Sequence, residues 1–366
     1  MKVEILDLKL RYSEEKSELI NCFKKVVSQG NLILTPEVDK FEREICKYTG
    51  AKFCLGLNSG TDALMMALWS IGIKKGDEVI TSATSFVATS NSIRHLGAIP
   101  VFADVQDDLN ISPEKIEKLI TKKTKAIMPV HWTGRVCNME KILKIAKKHN
   151  LKVIEDAAQA MGAYFKNKHA GTFGIVSAFS THPFKNLNAV GDGGFIITDN
   201  KKIYEKIKTY RNHGLKNRDD VEIVGVNSRL DSLHAEILSF RLRKLKNIIS
   251  RKKKNIDLYE KLTTSRDIQI IKKDKKIKSS HSMFVTLCKN RDKLKNYLEK
   301  FKIQSRIYYK KPLHLVKANK DLGYRKGDLP NTEKFASLVL SFPYHQHLNT
   351  KQIKYVCKKI NQFYKK

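Results

Sequence analysis

Lys185 stands in the run Ser177-Ala178-Phe179-Ser180-Thr181-His182-Pro183-Phe184-Lys185-Asn186-Leu187, followed by Gly191-Asp192-Gly193-Gly194. It falls in a loop between two apolar stretches. A lysine there can anchor a carbonyl compound, because partial burial lowers its pKa and makes the neutral amine reachable. With 70 Lys and Arg in the chain, a lysine is a surface residue by default, and only its context singles this one out. Two more polar clusters follow apolar runs. In Asn58-Ser59-Gly60-Thr61-Asp62-Ala63-Leu64, Gly60 lets the backbone come close, and the free amides and Thr61 hydroxyl at a helix start suit a phosphate. An ordinary helix cap fits those residues equally well. Val153-Ile154-Glu155-Asp156-Ala157-Ala158-Gln159 places Asp156 at a strand end, where a buried carboxylate needs a cation. A protonated pyridine nitrogen would serve; capping the next helix is the more common use.

The elements that position these clusters alternate. Residues 51–57, 78–80, 100–103, 126–130, 151–155, 175–179 and 195–198 read as strands. Residues 61–69, 86–95, 116–120 and 139–149 read as helices. Such alternation predicts an α/β fold with a mostly parallel sheet covered on both faces. Ligands gather beyond the carboxyl ends of such strands, where the three clusters lie. After residue 230 the texture changes to one or two long basic helices over 233–260, strands at 268–271 and 283–287, and helices at 292–301 and 350–364. Residues 265–280 read as an exposed loop or edge. The expected division is a large domain over 1–240 and a small one over 241–366.

The net charge is +33. The lysines are spread along helices without interleaved aromatics, which argues for a solvated surface and against a nucleic-acid platform. The field would still attract a phosphorylated small molecule. No apolar run reaches membrane-helix length, and Met1-Lys2-Val3-Glu4-Ile5-Leu6-Asp7 is charged where a signal peptide would be apolar, so the expected location is cytoplasmic. Cys22, Cys46, Cys54, Cys137, Cys288 and Cys357 form no CxxC pair, so neither a metal site nor a disulfide framework is expected.

Taken together, the motifs resemble the DegT/DnrJ/EryC1/StrS aminotransferases over nearly the whole chain. Besides the three clusters, Thr35-Pro36-Glu37-Val38, Gly76-Asp77-Glu78-Val79-Ile80, Thr84-Ser85-Phe86-Val87-Ala88-Thr89, Pro129-Val130-His131, Arg211-Asn212-His213-Gly214, Asn227-Ser228-Arg229-Leu230-Asp231, Pro312-Leu313-His314 and Leu340-Ser341-Phe342-Pro343 fit in order. The resemblance implies a fold-type I homodimer that uses pyridoxal 5'-phosphate. Lys185 would be the Schiff-base lysine and proton shuttle, and Asp156 would pair with the pyridine nitrogen. Gln159 would sit near the ring hydroxyl and Phe86 on the ring face, where plain core packing is the alternative. Gly60, Thr61 and Ser180 would hold the phosphate, and Asn227 would reach the phosphate of the neighbouring subunit. His182, His314 and Arg229 are candidate substrate contacts, with Arg306 and Lys310 as open alternatives for its anionic group.

L-glutamate would donate the amino group and a keto-sugar would accept it, in surface polysaccharide or lipopolysaccharide synthesis. The loop Lys185-Asn186-Leu187 with Gly191-Asp192-Gly193-Gly194 points loosely to C3 of a nucleotide-linked deoxysugar. C4, and C8 of an octulosonate, stay open. A dehydratase of the same family would carry histidine in place of Lys185. A non-catalytic regulatory relative would carry a broken cofactor set, and here Asp156, Gln159, Ser180 and Lys185 all stand.

Overall fold

A computed structural model describes residues 1–365. Seven strands form the central sheet: β1 Phe53–Leu57, β2 Glu78–Ser82, β3 Ile99–Ala103, β4 Thr124–Met128, β5 Lys152–Asp156, β6 Val176–Ser180 and β7 Gly194–Thr198. Their order is β1-β7-β6-β5-β4-β2-β3. Strands β2 to β6 pair in parallel, and β7 runs antiparallel to both β1 and β6. Helices cover both faces, so the strands are near-continuous apolar runs rather than alternating ones; all five residues of β7 are buried. Strand β4 stops at Met128, two residues short of the sequence reading, because Pro129 lacks the N–H a ladder needs. The helix expected at 116–120 instead spans Pro113–Glu117, with the proline in its first turn.

The 31-residue helix Ser232–Leu262 runs unbroken. Its first half packs Ala235, Leu238, Leu242 and Leu245 on the large-domain core. Its last turns bury Ile256 and Tyr259 in the small-domain core. The division expected at residue 240 therefore falls inside one continuous helix. The C-terminal part adds the antiparallel strands Ile268–Ile270, Val285–Cys288 and Val339–Ser341, with helices Arg291–Lys300 and Thr350–Tyr364. Residues 265–280, read as a loop or edge, also contain Ile277–Lys278, which pairs with Tyr164–Phe165 of the large domain. The N-terminus crosses over as well: Val3 bridges Ile303 and joins the small-domain core. Among the described residues no helix is long and apolar enough to cross a membrane, and no cluster of His, Cys, Asp and Glu could hold a metal ion.

At the sheet's carboxyl edge the backbones come very close. A Cβ on Gly194 would lie 2.4 Å from the Ser59 carbonyl oxygen and 2.6 Å from the Gly60 nitrogen. Gly194→Ala is therefore expected to destabilise the protein by about 1–3 kcal/mol through overpacking, as measured by denaturant unfolding. An unchanged midpoint would mean that this approach is not tight in solution.

Candidate active site

The strand ends build the site. Gly60 opens helix α1 (Gly60–Ser70), capped by Ser59, whose Oγ accepts the Asp62 N–H at 3.1 Å. A Cβ on Gly60 would lie 2.6 Å from Ser180 Cβ, so the helix start sits directly against the last residue of β6. Among the described residues no hydrogen bond takes up the N–H groups of Gly60 and Thr61. Two free amides at the positive end of a helix, beside the Ser180 hydroxyl, make an anion cradle.

A cleft of about 510 Å³ opens over this cradle. Gly60, Thr61, Phe86, Asp156, Gln159, Ser180, His182 and Lys185 all line it. Lys185 is partly buried. Burial pushes its pKa below the usual lysine value, against the pull of Asp156. Asp156 ends β5 and is buried. Burial raises its pKa, against the Thr89 hydroxyl that donates to Oδ2 at 2.7 Å and the Ala158 N–H at Oδ1, 3.2 Å away. Each group is thus poorly solvated, and a cation entering the cleft would favour the Asp156 carboxylate.

Phe86 caps helix α2 (Val87–His95) and is 54% exposed. Its ring lies 5.9 Å from that of Tyr309, on the cleft wall rather than in a core. Gln159 Oε1 accepts the Thr133 N–H at 2.7 Å. That leaves the Gln159 amide NH₂ without a partner among the described residues. His182 Nδ1 accepts the Phe184 N–H at 3.2 Å. Burial, then the Lys185 charge, lower the His182 pKa.

The other expected residues lie elsewhere in the chain. Asn227 is exposed and bridges Asn212, outside this chain's cleft. Arg229 donates to Asn212 Oδ1 at 3.0 Å and does not line the cleft. His314 is 1% exposed, with Nε2 3.1 Å from Glu333, and is likewise absent from the cleft wall. His131 is buried behind the site, where its Nε2 donates to Glu155 at 2.8 Å. Sequence reasoning missed Thr89, although it sits one helical turn beyond Phe86. It also missed Met283, Tyr308, Tyr309 and Tyr344, which the small domain brings to the cleft. Arg306 lines the cleft; Lys310 does not.

Glu155, next to Asp156 on β5, points the other way, as neighbours on a strand must. It accepts N–H groups from Gly171 at 2.7 Å, Phe173 at 2.7 Å and Gly174 at 2.6 Å. Burial works to raise its pKa, but the His131 bond and these amides outweigh burial and hold it below the usual value.

This sheet order, with a partly buried lysine and a carboxylate meeting over a helix-start anion cradle, is the fold-type I architecture of pyridoxal-phosphate-dependent transferases. The model of the DegT/DnrJ/EryC1/StrS aminotransferase family matches residues 13–361, and the chain belongs to that family. It is 39% identical to the "Pleiotropic regulatory protein" of Geobacillus stearothermophilus, over 100% of this chain and 99% of the relative. It is 37% identical to the "dTDP-3-amino-3,6-dideoxy-alpha-D-galactopyranose transaminase" of Aneurinibacillus thermoaerophilus, over 99% and 98%. The crystal structure of S. venezuelae DesV "in complex with ketimine intermediate" superposes with a TM-score of 0.97 at 33% identity, covering 100% of this chain and 99% of that one.

Because the folded pKa of Glu155 is depressed, its contribution to stability is complete above the ordinary value of 4.5 and is lost as pH falls through the folded value. Glu155→Gln is expected to cost about 3 kcal/mol at pH 7. That deficit should shrink as unfolding is repeated at pH values below 4.5. A deficit independent of pH would contradict the ionised state.

Proposed function

We propose that this chain is a pyridoxal-phosphate-dependent aminotransferase that moves an amino group from L-glutamate to a nucleotide-linked keto-sugar. The observation that carries the reading is the meeting of Lys185 and Asp156 over an anion cradle with two free amides. Those groups fit the cofactor's aldehyde, pyridine nitrogen and phosphate respectively. The bound cofactor supplies an electron sink that acidifies the amino-acid Cα–H.

The chain's own residues do the rest. Lys185 Nζ holds the cofactor, then takes the Cα proton and returns it, a task suited to a lysine whose pKa burial has lowered. Asp156, held by Thr89, would keep the pyridine nitrogen protonated. The free NH₂ of Gln159 would serve the ring hydroxyl, and the exposed ring of Phe86 would cover one face. Gly60, Thr61 and Ser180 hold the phosphate. Asn227 of one copy would complete the phosphate site of a second. A homodimer is supported by exposed apolar side chains such as Phe23, Leu32, Phe184, Val190 and Val224, which a second copy would cover. We place the enzyme in the cytoplasm, in surface-sugar synthesis.

The substrate's anionic group falls to Arg306. Its guanidinium stacks 5.2 Å from the Phe184 ring at the cleft, and it forms no ion pair among the described residues. His182, 5.0 Å from the same Phe184 ring, offers a further hydrogen-bonding group on the cleft wall. Amination at C3 is supported by the 3-amino sugar for which the Aneurinibacillus relative is named. The relative named as a regulator does not favour a non-catalytic reading here, because the lysine, carboxylate and cradle are complete.

Protein supplied with the cofactor should show the absorption band of a lysine-bound form, and L-glutamate should convert it to the pyridoxamine form. Lys185→Ala should abolish the band and slow turnover by at least about 10²-fold. Arg306→Gln should raise KM for the sugar nucleotide about tenfold, the loss of one charged hydrogen bond, with the band intact. Conversion of the band by Lys185→Ala at the wild-type rate would defeat the reading. An unchanged KM would take Arg306 out of the substrate site.

A further inference from the structure

The anchor loop is gripped by a second lysine. Lys252 is 3% exposed, and its ammonium donates to Asn186 Oδ1 at 2.7 Å. Asn186 is the residue after Lys185. Its Nδ2 donates in turn to the Ser280 carbonyl at 2.7 Å, so its side chain spans from the long helix to the segment entering the small domain. The Lys252 ammonium also lies 4.9 Å from the centre of the Tyr344 ring. The Tyr344 hydroxyl donates to the Ser282 carbonyl at 2.6 Å, and both residues line the active-site cleft.

Lys252 has a partner on the same helix face. Arg241 precedes it by eleven residues, three helical turns. Arg241 donates to the carbonyls of Asn188 at 2.6 Å and Ala189 at 3.2 Å, and it is neutralised by Glu15 at 2.7 Å. Lys252 has no such carboxylate among the described residues. The groups that face it are Arg11 from the N-terminal helix, His281, His345 and the Tyr344 ring. A buried, uncompensated ammonium costs stability. Burial, then the Arg11 charge, bring its pKa down to about 7. A methionine would fill the same space without that cost, so packing alone does not account for a lysine here.

We propose that Lys252 is a positioning residue for the aminotransferase reaction: by orienting the Asn186 amide it fixes the backbone of the anchor loop and aims Lys185 at the substrate Cα–H. This rests on the functional reading above. It implies that stability and rate part company. Removing the ammonium relieves the desolvation cost and loosens the aim of Lys185, and misplacement of about 1 Å can cost on the order of 10² in rate.

The test uses the full-length, cofactor-loaded protein and four forms: wild type, Lys252→Met, Asn186→Leu and the double variant. The rate at which L-glutamate converts the absorption band is followed by stopped flow, alongside thermal unfolding. Lys252→Met should keep the band and have an equal or higher melting temperature. Its rate at saturating glutamate should fall about tenfold or more, with the half-saturating glutamate concentration unchanged. The double variant should be no slower than the slower single one, because both act through one contact. If Lys252→Met does not fold, Lys252→Leu, which also lacks a donor for Asn186 Oδ1, carries the same test. A folded variant with the wild-type rate, or single effects that multiply in the double variant, overturns the proposal. If the wild type itself fails to respond to glutamate, the aminotransferase reading fails first, which distinguishes the two failures.

Discussion

A lysine on an irregular loop can anchor chemistry only if the rest of the protein holds that loop by its backbone. The segment between β6 and β7 has no helix or strand of its own, so it depends on other bonds. Thr181 and Gly193 pair at its base through an N–H···O contact of 2.8 Å, and Ala189 N–H returns to the Thr181 carbonyl at 2.7 Å. Lys185 N–H reaches the His182 carbonyl, and Asn188 Nδ2 reaches the Pro183 carbonyl, both at 2.8 Å. From outside, the fully buried Arg241 clamps the far end. Its charge is neutralised by Glu15, which is itself shared with Arg11. The N-terminal helix thereby reaches the active site through one carboxylate.

Electrostatics then divides the work of two adjacent residues. Glu155 and Asp156 are neighbours on β5, both buried, yet they do opposite things. Glu155 faces the scaffold, where three amides and His131 keep it ionised. Asp156 faces the cleft with a hydroxyl and one amide, too few to offset its burial. One carboxylate is satisfied by the fold, and the other is left for a cation from outside. The same desolvation that raises Asp156 lowers Lys185, so a single dry site prepares both groups.

Much of this is legible in the sequence because each functional cluster directly follows an apolar strand. Asp156 and Ser180 are strand-terminal, Gly60 begins a helix, and Lys185 sits between two apolar runs. Residues that reach the cleft from far along the chain carry no such local sign. Tyr308, Tyr309 and Met283 arrive only once the small domain packs. The reversed direction of β7 is equally silent, since a strand buried on both faces reads the same in either sense. The change of packing partner along Ser232–Leu262 is invisible to helical periodicity, because the one helix buries a face against each core in turn. His314 follows Pro312 and reads as a loop residue, yet Glu333 draws it inward.

Among so many lysines, the most direct test is to ask which one holds the cofactor. Borohydride reduction of the pyridoxal-phosphate-loaded protein fixes the cofactor to its amine, and peptide mass spectrometry then locates it. The account predicts the added mass on the peptide containing Lys185, with Lys252 unmodified. Modification at Lys252 or at any other lysine, or none at all, would contradict it.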